Sequence, residues 1–408
     1  VQAVRENKVR EEVIDDAAIR IVRTLLAAAK SEDPESYDPS VISCNAHISL
    51  AKKVAEKSMT LIKNENGVLP FDKKLDHILV LGKLANVEDI GDHGSSRVFP
   101  YYTVTPLQGI VDIAGESKVT YYSGEDTGKA IELAKNADAV IMVVGYNHDD
   151  EGEYVTPTDE MKLDKPMGGD RRNLGLHRHE VDLINAVGKV NKKNAVVLIG
   201  GNMILIDDFK DSATAILMAY YPGMEGGTVI AETLFGDNNP GGKLPFVIVH
   251  DEKDLPEVDW DAKEIVYDYY HGYARLEKNK VAPSVPYGFG LSYTKFDIGS
   301  PSCEAAGETV TARVQVTNTG SREGDEVIQL YIGKEDSAVD RPVKALKGFA
   351  RVTLQPGETK TVTVSCPVEK LEYYSEDEKG WKLEKGKYQA YIGNCCSDAY
   401  LKKLEFEI

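Results

Sequence analysis

Four carboxylates, Asp149, Asp150, Glu151 and Glu153, fall within five residues of the stretch YNHDDEGEYVTPTDEMKLDKPMGGDRRNL, which begins at Tyr146. They follow an apolar run, AVIMVVG (139–145). Carboxylates crowded into a cleft repel one another's charge, which raises at least one pKa toward neutrality and keeps a proton available for transfer. A solvated acidic loop has the same composition, and the residue types leave both readings open. A second polar loop, GKLANVEDIGDHGSSRVFPYYT (82–103), adds Asp92, His93 and Arg97. Asp92 and Arg97 are candidate substrate contacts, with a salt bridge between them as the plainer reading.

Other chemistries fit less well. No G-x-G-x-x-G follows the first strand, and neither the P-loop pattern nor G-x-S-x-G occurs, which argues against nucleotide binding and a serine nucleophile elbow. Asp149, Asp150 and Glu151 do not continue into a calcium-loop spacing. His177 and His179 stand two apart at a helix start and would point in different directions, so they read as capping or solvent-facing residues. No metal site and no cofactor are expected.

The elements that must position these loops are legible in the hydrophobic pattern. HILVLG (77–82), VTYY (119–122), AVIMVVG, AVVLIG (195–200) and AILMAYYPG (215–223) are short runs rich in β-branched residues. Helical segments separate several of them: KAIELAKNA, HEVDLINAVGKVN and GMEGGTVIAETLFG. Continuous apolar strands alternating with helices predict a mostly parallel sheet covered on both faces, an α/β sandwich over about 70–250. Such sheets carry functional loops at the carboxyl ends of their strands, where both polar loops fall.

A Tyr-rich connector spans 251–296; six of the 21 tyrosines lie in YDYYHGY and YGFGLSY. It reads either as interdomain packing or as the lining of a sugar site, since aromatic rings suit the apolar faces of pyranoses. From residue 297 the period falls to two in TVTARVQVTNTG, EVIQLYIG, FARVTLQPGETKTVTVSC and GKYQAYIG, with turn residues every 8–12 positions. That predicts an antiparallel β-sandwich of immunoglobulin or fibronectin type III style, expected to be structural.

At the other end, Ile14, Ala18, Ile21 and Leu25 mark one face of an amphipathic helix that needs something to lie on. A second helical stretch is predicted over AHISLAKKVAEKSMTLIKNENG, and residues 1–69 read as helix and linker. The net charge of −18 over 408 residues argues against nucleic acid and anionic membranes as partners, and no apolar run is long enough for a membrane span. Five cysteines without C-x-x-C spacing predict neither a disulfide framework nor a zinc site.

Taken together, several segments resemble glycoside hydrolase family 3, the β-glucosidase and β-xylosidase family: AHISLAKKVAEKSMTLIKNENGVLPF, GDHGSSRVFPYYTVTPLQGI, DEGEY with GGDRRNL, AYYPGMEGGTVIAETLFGDNNPGGKLPF and PYGFGLSYTKF. RPVKALKGFARVTLQPGETKTVTV is similar to the family's fibronectin-like module. The resemblance runs in family order from about residue 45 to the end. It implies a retaining glycosidase whose nucleophilic Asp sits in an S-D-W-type motif on a (β/α)₈ barrel and whose acid/base Glu sits in a sandwich loop. The two tryptophans, Trp260 and Trp381, are not preceded by S-D. The expectation is therefore a C-terminal portion, with the helix near residues 1–30 as the last barrel helix and the nucleophile on a barrel elsewhere. Glu153 matches the acid/base position of the family's G-E-G-[YF], with Glu151 as the alternative because E-G-E allows a two-residue slip. Asp149 and Asp150 would supply the negative field that keeps the acid protonated. The implied substrates are terminal glucosides of β-linked oligosaccharides or aryl glucosides, with β-xylosidase or arabinosidase action, or a non-catalytic carbohydrate-binding fragment, as alternatives. Self-association is left open.

Overall fold

The computed structural model describes residues 1–30, 38–154, 168–259 and 261–408. Part of the irregular 30–43 stretch, the middle of the acidic stretch and Trp260 lie outside the described residues. The chain clusters into two units, Val1–His47 and Ile48–Ile408.

The first unit holds α1 (Gln2–Arg5) and α2 (Glu11–Ala29). Glu11 and Glu12 occupy the first turn of α2, where carboxylates complement the helix dipole. No residue of α2 is buried, and Ile14, Ile21 and Leu25 of the expected stripe are each at least half exposed.

Helix α3 (Asn45–Ser58) begins three residues before the larger unit and leads into β1 (Thr60–Asn64). Sequence periodicity predicts one helix through this whole stretch; the structure ends it at Ser58. TLIKN instead pairs antiparallel with the edge of the sheet and buries Thr60, Leu61 and Ile62, a tertiary gain that outweighs local helix propensity. The remaining strands are β2 (Ile78–Leu81), β3 (Val119–Tyr122), β4 (Ala139–Gly145), β5 (Asn194–Ile199) and β6 (Ala215–Tyr220). Among the described residues the sheet order is β1-β6-β5-β4-β2-β3, and every pair except β1–β6 is parallel. This is the mostly parallel sheet that the sequence predicts.

Why the strands read as unbroken apolar runs is visible in the two cores. Successive side chains point to opposite faces. Leu79, Val140, Met142, Val196 and Leu198 pack on one side with α5 (Thr127–Lys135) and α7 (Arg178–Val190). Val80, Ile141, Val143, Val197 and Leu217 pack on the other with α4 (Pro106–Ala114) and α8 (Gly226–Phe235). With both faces covered, the central strands β2 and β4 have no position left for a polar residue.

After helix Gly272–Asn279, the period-two region forms strands β7 (Phe296–Ala306), β8 (Thr309–Asn318), β9 (Gly324–Gly333), β10 (Ala345–Leu354), β11 (Thr359–Pro367), β12 (Tyr373–Ser375), β13 (Gly380–Lys382), β14 (Lys387–Gly393) and β15 (Leu401–Glu407). The sheets β10-β9-β14-β15 and β11-β8-β7 face each other as an antiparallel sandwich. Its core is the inward set Val310, Ala312, Val314 and Val316 against Ile328, Leu330 and Ile392. Its joint with the α/β sandwich includes Asp325, whose buried carboxylate accepts from Lys57 at 2.5 Å and from Arg351 at 3.0 Å. The connector contributes Tyr273, which packs against Tyr287 and Tyr331 and whose hydroxyl accepts from the Leu346 N–H. That is the interdomain packing role among the two expected of it. All five cysteines are free thiols. No helix among the described residues is long and apolar enough to cross a membrane.

Candidate active site

Strand β4 is buried along its whole length and ends at Gly145. A Cβ there would lie 1.9 Å from the Ile199 carbonyl oxygen, so only glycine lets the chain leave the sheet at this point. Two residues later Asn147 caps α6 (His148–Glu151), a single helical turn. Its side chain accepts the Asp149 N–H at 3.0 Å, while Asp150 accepts the Asn147 N–H at 3.2 Å, a reciprocal cap. Asp150 also faces His177 Nε2 at 3.3 Å. One of the four clustered carboxylates thus has a folding role.

The turn aims Glu151 and Glu153 differently. Glu151 points inward, and its side chain is 11% exposed. Its Oε2 lies 2.7 Å from Arg171 Nε, and its Oε1 accepts from the Gly201 N–H and the Tyr221 hydroxyl, each at 2.5 Å. Arg171 is itself fastened: it donates to the Met203 carbonyl at 3.0 Å, and its guanidinium stacks 4.4 Å from the Tyr146 ring centre. Burial, then the bond to Glu151, pushes the Tyr221 phenol well above its ordinary pKa, so it stays a donor.

Glu153 lies outward, on the rim of a polar cavity of about 830 Å³ that Glu151, Asp92, Ser95, Tyr154, Asp170 and Arg172 also line. Its Oε2 accepts the Ser95 N–H, and its own backbone N–H donates to Asp92 Oδ1 at 2.7 Å. That bond is the main reason the Asp92 carboxyl sits below its ordinary pKa. Gly94 and Gly168 make room: a Cβ on Gly94 would come within 2.4 Å of Glu153 Cβ, and one on Gly168 within 2.4 Å of the Glu153 carbonyl oxygen.

The loops after β2, β4, β5 and β6 therefore converge at the carboxyl edge of the parallel sheet. Asp92, Glu151 and Glu153 come together there. Arg97 does not join them: its guanidinium lies 4.9 Å from the Phe99 ring, and it is not among the residues lining the cavity. The alternative salt bridge with Asp92 is not formed either; Asp92 is taken up by Glu153 and by the Ser96 hydroxyl at 3.0 Å. His93 stacks on His148 with ring centres 3.4 Å apart, and burial, then the His148 and Arg97 charges, lowers its pKa.

Several groups of the site carried no signal as individuals in the sequence. Ser95, Tyr221 and Gly201 matter through backbone or hydroxyl donors that any loop could offer. Glu180, in the first turn of α7, is buried beneath the loop with both oxygens 3.3 Å from the Gly145 N. Burial pushes its pKa up to about 8, while the Gly145 N–H opposes the rise and Asp150 adds to it. Asp89 is likewise raised, to about 7, by burial and by Glu88, and neither of its oxygens has a partner among the described residues.

Residues 59–293 match the family model described as the glycosyl hydrolase family 3 C-terminal domain, and residues 326–395 the fibronectin type III-like domain. A β-xylosidase of Formosa agariphila is 34% identical over 416 residues, covering 96% of this chain and 54% of that protein. A β-glucosidase of Bacteroides ovatus is 31% identical over 437 residues, with 98% and 56% covered. The chain thus spans about half the length of the curated relatives it matches. The solved family 3 β-glucosidase of Bifidobacterium adolescentis superposes with a TM-score of 0.80 at 28% identity, over 99% of this chain and 59% of that one. The β-D-glucoside glucohydrolase of Trichoderma reesei, at 24% identity and a TM-score of 0.86, shares the fold over 99% of this chain and 62% of its own. From the two domain matches and the relatives alike, this chain belongs to glycoside hydrolase family 3, as its C-terminal domain followed by a fibronectin type III-like domain.

Proposed function

We propose that this chain supplies the general acid/base of a retaining exo-β-glucosidase, and that the group is Glu153. The observation that carries the choice is the contrast between neighbours. Glu151 accepts from a guanidinium, a hydroxyl and an amide, which together tie both of its oxygens to the protein. Both residues line the cavity, but Glu153 is exposed there and accepts only one backbone N–H. A group that must reach a substrate oxygen and a water in turn belongs at the second position.

In this reading Glu153 protonates the glycosidic oxygen while an Asp, carried on a barrel not among these 408 residues, attacks the anomeric carbon. The same Glu then takes a proton from the water that frees the sugar. Asp92 positions Glu153 through its backbone N–H. Substrates are terminal β-glucosides of oligosaccharides or aryl glucosides. A β-xylosidase is the second reading, favoured by the 34% identity to the Formosa agariphila enzyme.

The test uses the chain assembled with the barrel-bearing polypeptide. Glu153→Gln collapses turnover of substrates with poor leaving groups, and added azide restores turnover of activated ones. If Glu151→Gln behaves this way and Glu153→Gln does not, the assignment is wrong. Nitrophenyl glucoside against nitrophenyl xyloside separates the two substrate readings.

A further inference from the structure

The antiparallel sandwich has a cleft of its own that shares no residue with the cavity at Glu153. Its volume is about 810 Å³, within the roughly 300–1,000 Å³ typical of small-molecule sites. One wall is the β12–β13 hairpin, which belongs to neither sheet of the sandwich. Tyr374 and Trp381 are direct cross-strand partners on it, with ring centres 5.7 Å apart and planes at 79°. Both rings nevertheless remain open, Tyr374 at 52% and Trp381 at 70% exposure. Tyr269, from the Tyr-rich connector, brings a third exposed ring to the same cleft.

A hairpin of two three-residue strands is marginal by itself. Folding its rings into the core would stabilise it more than holding them at the surface does, so the core accounts for neither ring. The polar groups around the cleft narrow the ligand. Asp340, Glu372, Glu376 and Asp377 stand against Lys334, Arg341 and Lys347, a mixed lining one charge from balance that speaks against an anion and builds no dedicated cation site. Arg341 donates to Ser337 Oγ and the Leu371 carbonyl, while its Nη2 is buried without an acceptor among the described residues. What fits open aromatic faces set among hydrogen-bonding groups of both signs is a neutral molecule with apolar faces and many hydroxyls.

We propose that this cleft is an ancillary binding site for a neutral oligosaccharide, with Trp381 and Tyr374 stacking on pyranose rings. The choice of a β-linked gluco- or xylo-oligosaccharide rests on the function proposed for Glu153; the cleft itself does not.

The experiment is calorimetric titration of the 408-residue chain, carrying Glu153→Gln, with cellohexaose and with xylohexaose. Saturable millimolar or tighter binding of at least one sugar is expected. Trp381→Ala and Tyr374→Ala each weaken it about tenfold, equivalent to about 1.4 kcal/mol, and Trp381→Phe retains most of it. Unchanged melting temperatures confirm that the variants fold. Should Trp381→Ala melt early, Tyr269→Ala carries the same test from another element. The proposal is overturned if neither sugar binds, or if binding survives all the alanine variants. Absence of binding beside an essential Glu153 sinks this proposal alone. Aromatic-dependent binding beside a dispensable Glu153 sinks only the catalytic assignment.

Discussion

Glu151 and Glu153 are two residues apart, yet the structure predicts opposite consequences for the same change. Glu151→Gln keeps the shape of the side chain and removes its charge. The amide can turn its oxygen toward Gly201 and Tyr221, but its NH₂ then faces the Arg171 Nε–H, donor against donor, where the carboxylate now lies at 2.7 Å. With Arg171 only 7% exposed, the guanidinium keeps its charge and loses its counterion inside the protein. Breaking a buried pair from one side costs about 3–5 kcal/mol. For a domain of this size 1 kcal/mol moves the melting temperature by roughly 2–4 °C. Glu151→Gln should therefore melt on the order of 10 °C early, given those two figures. Glu153→Gln, at an exposed position with one backbone donor, should stay within about 0.5 kcal/mol of the parent. Scanning calorimetry of the two variants beside the parent decides it. Adding Arg171→Gln to Glu151→Gln should recover part of the loss, because the double variant leaves no buried charge unpaired. Should Glu151→Gln melt with the parent, or Glu153→Gln fall as far as Glu151→Gln, the two carboxylates do not divide structural and exposed roles in this way.

Three further outcomes follow from the same geometry. Glu180 has its pKa raised to about 8 by burial, so it favours the fold when protonated; that contribution is complete below the ordinary carboxyl range and is lost as pH rises toward 8. Glu180→Gln should flatten this decline in urea midpoints and raise stability at pH 8 by up to a few kcal/mol. Gly94→Ala sets a Cβ against the Glu153 side chain; turnover of the assembled enzyme should fall several-fold while the melting temperature holds. Asp325 is buried, which alone would raise its pKa, but Lys57, Thr353 and Arg351 together hold it below the ordinary range. Asp325→Asn should cost about 3 kcal/mol at neutral pH. The deficit should shrink as acid takes the parent through that lowered pKa, which denaturant titrations at two pH values would show.

Much of this protein is written in local pattern. The alternation of β-branched runs with helices, and then the period-two strands after residue 297, determined two sandwiches in order, because an element's burial dictates its own periodicity. The same reasoning failed at 60–64, where only the sheet edge of β6 made TLIKN a strand. The acidic loop was legible as a place for proton chemistry, and the motif resemblance favoured Glu153 over Glu151. What each carboxylate does was not legible. Asp149, Asp150, Glu151 and Glu153 are alike in type and adjacent in sequence, and they differ only in what the fold sets against them. A donor triad assembled from residues 171, 201 and 221 surrounds Glu151, and a lone N–H from residue 95 meets Glu153. The role open to each carboxylate follows those distant partners, and only tertiary structure brings them within hydrogen-bonding reach.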